Sequence, residues 1–283
     1  MKKKKGIVLA APAILGFLAF YFIPFLIMGW YSVSFGMGKR EFVGVQNFTE
    51  LFQNRMFLLA LKNTLQFTGI AVPVVLFGAL GLSICLQRLA RGGQVMRLAL
   101  FYPLLIPIGA AVLGVQALWG QDGLVNWFLA RLGQRGEDWI HTSAAFWILC
   151  ILYWWKFLGY HILLFFVRIQ MIPRPYYEYA RLSGAANGTI FRKITWPLIF
   201  PTFLFNLLLA LMNVFKCYRE AFLLGGNYPD SSVYLLQHFM NNSFQNLNYQ
   251  KMSTVSVSML AVILATALAG YCAWKFSASK RND

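Results

Sequence analysis

Charged residues are scarce in this sequence of 283 residues, and acidic residues are the scarcest. Lys, Arg, Asp and Glu make up 12% of the chain, whereas soluble domains carry about 25%. Aromatic residues make up 17% and hydrophobic residues 59%, which excludes a disordered chain. The 25 Lys and Arg nevertheless outnumber the 9 Asp and Glu. A soluble nucleic-acid binder would need more charges in total, so we expect an integral membrane protein without a nucleic-acid partner.

Residue patterns for catalysis and metal binding are also missing. The cysteines form no close pair and the histidines no ligand spacing; they are Cys85, Cys150, Cys217, Cys272, His141, His161 and His238. There is no Gly-x-x-x-x-Gly-Lys-Ser/Thr phosphate loop, paired-carboxylate site or nucleophile motif. We therefore predict no catalytic residue, no metal site and no cofactor bound by this chain.

Six long stretches carry almost no charge, and each is long enough to cross the bilayer. Crossing about 30 Å of hydrocarbon takes roughly 20 helical residues. Backbone groups find no partner in hydrocarbon, so each stretch should be helical, and alternating barrel strands are excluded. The predicted fold class is all-α, a polytopic membrane protein with spans near 7–30, 63–86, 98–119, 143–167, 198–222 and 253–275. Prolines in these spans, such as Pro73, Pro103 and Pro107, are expected to cause simple kinks.

Basic residues in the loops predict the orientation of these spans. One side holds both termini and 15 Lys and Arg, with only Glu178 and Asp283 as acids. The other side holds 9 Lys and Arg and 7 acids, and Lys156 lies within a span. Both termini are therefore expected to be cytoplasmic.

The predicted outer loops contain short amphipathic segments. In loop 31–62, apolar residues recur near helical spacing, and Asn47 or Thr49 is a candidate N-cap of short interfacial helices. Similar spacing predicts a helix in loop 120–142 and another near 232–247. These segments form either lids and docking surfaces or simple interfacial packing.

The loop between the fourth and fifth spans is long and rich in helix signals. Pro175 suits the first turn of a helix, and Glu178 is expected in the same turn, where the helix dipole favours a carboxylate. Asn187-Gly188 is expected to end that helix, and Phe191 to begin a short second one before Pro197. Such a helix–turn–helix is a rigid element on which another protein could exert force.

This loop matches the EAA motif of importer permeases, written EAA, then G, then I-x-L-P. Glu178, Ala180 and Gly184 fit its first part, and Ile194 and Pro197 its second, with the expected spacing. Three positions depart from the motif, namely Tyr179, Ser183 and Trp196. Over nearly its whole length, the chain resembles permease subunits of bacterial binding-protein-dependent ABC importers, within the carbohydrate-type, MalF-like branch.

The resemblance implies one transmembrane permease domain, 1–283, in the bacterial cytoplasmic (inner) membrane. A coupling loop, about 169–197, would seat in a cytoplasmic ATPase through Glu178, Ala180, Gly184, Ala185, Ile194 and Pro197. The implied partners are a second homologous permease, two ATPase subunits that bind ATP and Mg, and an extracellular or periplasmic solute-binding protein. The implied function is ATP-driven import of a sugar or related solute, and the alternative is an ion-coupled secondary transporter.

Polar and aromatic residues within the spans are candidates for the substrate path. Lys156 lies midway along span four, where a charge is costly and marks either a functional site or an ion pair. Asn206 and Asn213 share a face of span five and either line a cavity or bond to another helix. Lys216 and Glu220 are four residues apart and could pair. The full candidate set is Trp154, Trp155, Lys156, Tyr160, His161, Asn206 and Asn213.

Overall fold

The computed structural model describes residues 2–36, 41–87 and 93–279. Within these ranges the chain is almost entirely helical, with one short β-hairpin. Several residues counted for the orientation lie outside the described ranges, namely Lys39, Arg40, Arg88, Arg91, Lys280, Arg281 and Asp283.

Five helical segments of the described chain are long and apolar enough to cross a membrane. They are Ala10–Val33, Arg55–Gln87, Ala145–Gln170, Asn187–Gly225 and Tyr249–Cys272. They coincide with five of the six predicted spans. The chain is therefore a multi-pass membrane protein, built from the apolar stretches that the charge pattern marks.

The remaining predicted span, 98–119, is broken rather than kinked. Helix α5 (Gly93–Leu105) and helix α6 (Ile108–Trp119) are separated by a break, at which the segments Ala99–Leu105 and Ile108–Arg131 are bent by 104°. Pro107 has an extended backbone, with φ −56° and ψ 143°, and it disfavours helical geometry at Ile106. The expectation of a simple kink is wrong at Pro107, whereas Pro73, Pro103 and Pro201 do lie inside helices.

Residue contacts divide the chain into two compact units, and the first consists of residues 1–60 and 236–264. It contains α1 (Lys2–Phe17), a π-helical turn (Leu18–Phe22), α2 (Ile23–Val33), β1 (Ser34–Phe35), β2 (Glu41–Phe42), α3 (Gln46–Gln53), the start of α4 (Arg55–Gln87), α13 (Leu236–Gln245) and most of α14 (Tyr249–Ser279). The strands are antiparallel, with Ser34 opposite Phe42. Phe57 of α4 packs edge-on against Phe239 of α13, with ring centroids 5.7 Å apart.

Loop 31–62 departs from the predicted pair of interfacial helices. Helix α3 is a separate short helix, but residues 55–62 are the first turns of α4 and continue directly into the apolar span. Val45 occupies the N-cap of α3, so neither Asn47 nor Thr49 caps it. The amide of Asn47 instead donates to the carbonyls of Ser32 and Ser34, both at 3.0 Å. This side chain ties α3 to the end of α2.

The second unit, residues 61–235 and 265–283, contains most of the buried core. After α4, α5 and α6 its elements are α7 (Leu124–Arg131), a 3₁₀ turn (Trp139–His141), α8 (Ala145–Gln170), α9 (Arg174–Leu182), α10 (Asn187–Ile190), a π-helical turn (Phe191–Thr195), α11 (Trp196–Lys216), α12 (Tyr218–Gly225) and a 3₁₀ turn (Ser231–Val233). Helices α7 and α13 lie within the outer segments predicted to be helical. The second unit holds all the candidate residues discussed below.

Helix α8 is central to the core of the second unit. Apolar side chains from α4, α8, α11 and α12 form one buried cluster around it. The hydroxyl of Tyr153 donates to the carbonyl of Ala210 in α11 at 2.9 Å. The guanidinium of Arg168 donates to the carbonyl of Leu198 at 2.9 and 3.1 Å. These bonds join α8 to α11 near the middle and the end of the helix.

Candidate functional site

Lys156 forms an ion pair with Glu220, although 64 residues separate them in sequence. Lys156 lies on α8, and Glu220 lies in the first turn of α12. Both side chains are almost fully buried, with 11% and 2% of their surface exposed. Glu220 therefore pairs with a distant lysine, and the predicted local pair with Lys216 does not form. Removing water from two charges is costly, so each needs the other as its partner.

The ion pair lies in the wall of a cavity of about 330 Å³. Lys156 and Tyr160 are four residues apart and therefore face it from the same side of α8. The end of α11 contributes Asn213 and Lys216, and α12 contributes Arg219 and Glu220. Leu104 and Ile108, on either side of the break between α5 and α6, complete this part of the wall. Charged, amide and phenolic groups thus meet beside the break between α5 and α6.

The other candidate path residues have different surroundings. The indole N–H of Trp154 donates to the carbonyl of Ala71 at 3.1 Å, which joins α8 to α4. His161 is fully buried, and its Nδ1 lies 2.7 Å from Oδ1 of Asn206. Trp155 is 44% exposed on the outside of the helix. The structure therefore places Lys156, Tyr160 and Asn213 at the cavity, whereas Trp154, Trp155, His161 and Asn206 do not line it.

The loop that carries the EAA-like motif begins with helix α9. Pro175 lies in its first turn, as predicted, whereas Glu178 lies one turn further along, so the placement of Glu178 in the first turn is wrong. The helix ends at Leu182, and Gly184 follows with φ +74°. The Gly184 N–H donates to the carbonyl of Arg181 at 2.9 Å, and the Ala185 N–H donates to that of Ala180 at 3.0 Å. These two bonds form a Schellman motif, which requires a left-handed residue and therefore favours glycine.

Gly184 thus ends the helix, and the expectation that Asn187-Gly188 does so is wrong. Asn187 is instead the first residue of α10, which continues through the π-helical turn into α11. Pro197 is the second residue of α11. The second short helix expected from Phe191 is therefore part of a continuous run of helical backbone.

Glu178 is exposed and faces a groove of about 490 Å³. Arg174, Glu178 and Arg181 follow one another at helical spacing along one face of α9 and line the groove together with Asn187. Tyr177 and Thr195 share a hydrogen bond of 3.2 Å between their hydroxyls, which fixes α9 against the π-helical turn. Of the other motif residues, Ala180, Ala185, Ile194 and Pro197 are half-buried.

Several long apolar helices and a short exposed helical loop are what a membrane transport subunit requires. The family described as "Binding-protein-dependent transport system inner membrane component" matches residues 63–273. The chain belongs to this family, which confirms the resemblance inferred from the loop.

Two relatives match along nearly the whole chain. The arabinooligosaccharides transport system permease protein AraP of Bacillus subtilis is 29% identical over 286 residues, covering 94% of this chain and 87% of its own. The sulfoquinovosyl glycerol transport system permease protein SmoG of Agrobacterium fabrum is 30% identical over 268 residues, covering 91% and 86%. The relatives are thus permease subunits of transport systems that are named after carbohydrates or their derivatives.

The fold also matches that of a solved transporter. A chain of a bacterial ABC transporter involved in the import of the acidic polysaccharide alginate superposes with a TM-score of 0.80 at 20% identity, covering 97% of this chain and 99% of its own. The two chains therefore share the importer permease fold.

Proposed function

We propose that the chain is one of two permease halves of an ATP-driven importer for a sugar or related solute. In this proposal, residues 1–283 form one domain with six spans, in which α5 and α6 together make the third, and both termini are cytoplasmic. The excess of Lys and Arg on the side of the termini supports this orientation. The names of the relatives support a saccharide as the solute. Family membership favours the importer over the ion-coupled secondary transporter.

The partners follow from the same proposal. A second permease completes the path, two ATPase subunits bind ATP and Mg, and an external solute-binding protein delivers the solute. The permease chain itself binds no cofactor and catalyses no reaction. The location is the inner membrane of a bacterium, in agreement with the description of the family.

The rigid construction of α9 is the observation that carries the coupling role. The helix is fixed at one end by the Tyr177–Thr195 hydrogen bond and closed at the other by the Schellman motif at Gly184. Its charged face, with Arg174, Glu178 and Arg181, lines an open groove that a partner can enter. Because the π-helical turn leads directly into α11, a force on α9 reaches a membrane span without an intervening flexible loop. The ATPase would therefore exert force on α9, and α9 would transmit that force to the spans.

Reversal of the charge at Glu178 tests this role. The chain should be expressed with its ATPase, second permease and binding protein. Glu178→Lys is the variant, and Glu137→Lys, in the segment before α8, is the control. Losing a charge-assisted contact of about 1.5–3 kcal/mol should lower ATP-dependent uptake by about tenfold or more, while the chain stays in the membrane. Co-purification of the ATPase separates lost binding from lost coupling. Uptake as high in Glu178→Lys as in the control would contradict the assignment.

A further inference from the structure

The cavity beside the ion pair contains more positive than negative charge. Lys156, Lys216 and Arg219 line it against the single carboxylate of Glu220. Lys156 is already paired with that carboxylate. Within the described ranges, the only other contact between a basic and an acidic side chain joins His141 and Asp138, so Lys216 and Arg219 have no carboxylate in contact. The cavity therefore has two more cations than carboxylates. Lys216 and Arg219 are both exposed and can reach a solute in the cavity.

The carboxylate of Glu220 supplies the opposite kind of group. Only one of its oxygens contacts Lys156, and its Oε2 is buried without a hydrogen-bond partner among the described residues. A buried carboxylate oxygen requires a donor, since leaving it unpaired costs free energy. Asn213 and Tyr160, in the same wall, can each donate or accept. The cavity thus combines excess cations with hydrogen-bonding groups suited to hydroxyls.

The break between α5 and α6 adds to the positive character of the site. Helix α6 begins at Ile108, in the cavity wall, and runs for 12 residues. The first N–H groups of a helix have no acceptor within it, so this end carries partial positive charge. Interrupted membrane helices commonly place such ends at anionic groups of a transported solute.

We infer that the solute carried through this cavity is an acidic saccharide, bearing a carboxylate, phosphate or sulfonate group. The anionic group lies against Lys216 and Arg219, and hydroxyls of the solute bond to Asn213 and Tyr160 in the same wall. This inference rests on the proposed function and adds the charge of the solute to it. The names of the relatives do not decide the charge of the solute, because they include uncharged arabinooligosaccharides as well as the anionic compounds sulfoquinovosyl glycerol and sn-glycerol-3-phosphate.

The test compares matched solutes in proteoliposomes that hold the complete complex with its binding protein. The probe pairs are digalacturonate and its dimethyl ester, glycerol 3-phosphate and glycerol, and a 6-sulfonated glucose and glucose. We expect ATP-dependent uptake of at least one anionic probe, at about ten times the rate of its uncharged counterpart or more. Equal uptake of an uncharged counterpart, or uptake of no anionic probe, overturns the inference. Binding-protein-stimulated ATP hydrolysis shows that the complex works, so its absence counts against the proposed function instead.

Variants at the two cations test the site itself. The double variant Lys216→Ala/Arg219→Ala should lower uptake of the anionic probe by about tenfold or more and leave stimulated ATP hydrolysis intact. Lys216→Arg/Arg219→Lys should keep most of the uptake, and Lys62→Ala, an exposed lysine elsewhere in the second unit, should keep all of it. Unchanged uptake in the alanine variant overturns the inference. So does equal loss in the charge-preserving variant, or loss of complex assembly, which would show that these cations serve packing or a subunit contact.

Discussion

Gly159 lies at the closest approach between α5 and α8, and replacing it with alanine should push the two helices apart. A Cβ at this position would lie 1.7 Å from the carbonyl oxygen of Leu100 and 2.4 Å from its carbonyl carbon. Real Cβ atoms stay beyond 3.0 Å, so the backbone of α5 would have to move by about 1.3 Å or more. A side chain could rotate out of the way, but a helix backbone cannot.

The expected cost follows from this displacement. Overpacking a core costs about 1–3 kcal/mol, and a clash with backbone lies at the upper end of that range. At about 2–4 °C per kcal/mol, Gly159→Ala should lower the midpoint of thermal unfolding by about 6–12 °C. Uptake should fall as well, because Lys156 is one turn before Gly159 and α5 leads into the break beside the cavity.

The assay is thermal unfolding of the purified chain in detergent, followed by uptake in the assembled complex. Gly78→Ala is the matched control, since a Cβ there would meet only Leu158 Cδ1, at an ordinary 3.7 Å. The control should unfold at the temperature of the unmodified chain or slightly above it. If Gly159→Ala unfolds at the same temperature as Gly78→Ala, the close helix contact is not what requires a glycine.

Three further predictions concern charge and backbone conformation. Burial lowers the pKa of His238, in helix α13, from 6.5 to about 4, so the folded state resists protonation. About 3 kcal/mol of stability should be lost as the pH falls from 6.5 to 4, with a smaller loss in His238→Leu when melting is followed against pH. Gly184→Ala should destabilise the end of α9 by about 1–2 kcal/mol, because the φ of +74° at this position strains alanine. Co-purification of the ATPase should fall more for Gly184→Ala than for Gly184→Asn. Equal effects of the two variants would exclude backbone strain as the cause. Lys156→Ala should lower the unfolding free energy by about 3–5 kcal/mol, and Lys156→Met/Glu220→Leu should recover most of it without recovering uptake.

The charge pattern predicts the membrane segments well but not the ends of helices. Five of the six charge-poor stretches coincide, to within a few residues at their ends, with long apolar helical segments. Helix α4, however, begins at Arg55, eight residues before its charge-free stretch, because the charge of Lys62 ends that stretch without interrupting the helix. Similarly, Pro103 and Pro107 look alike in sequence, yet only Pro107 lies at a break. The difference depends on tertiary packing, which a local pattern does not contain.

The EAA-like loop illustrates competition between equivalent local signals. Both Gly184 and Asn187-Gly188 are suitable helix ends. The chain uses Gly184, whose neighbours complete the two Schellman hydrogen bonds, and Asn187 then begins the next helix. The local pattern predicts a helix beginning near Pro175, but it could not decide which of two glycine-containing turns the backbone would adopt.

For the candidate path residues, residue type alone does not show which side chains line the cavity. Every polar side chain in a span must be buried in protein, whether it serves structure or transport. The indole N–H of Trp154 bonds to Ala71, and Nδ1 of His161 bonds to Asn206, whereas Nε2 of His161 is buried without a hydrogen-bond partner among the described residues. Glu220 likewise keeps one buried oxygen without a partner, but it lies in the wall of a cavity with two excess cations, whereas His161 does not line that cavity. Position at the cavity, rather than polarity, therefore distinguishes these groups, and it depends on contacts between residues far apart in sequence.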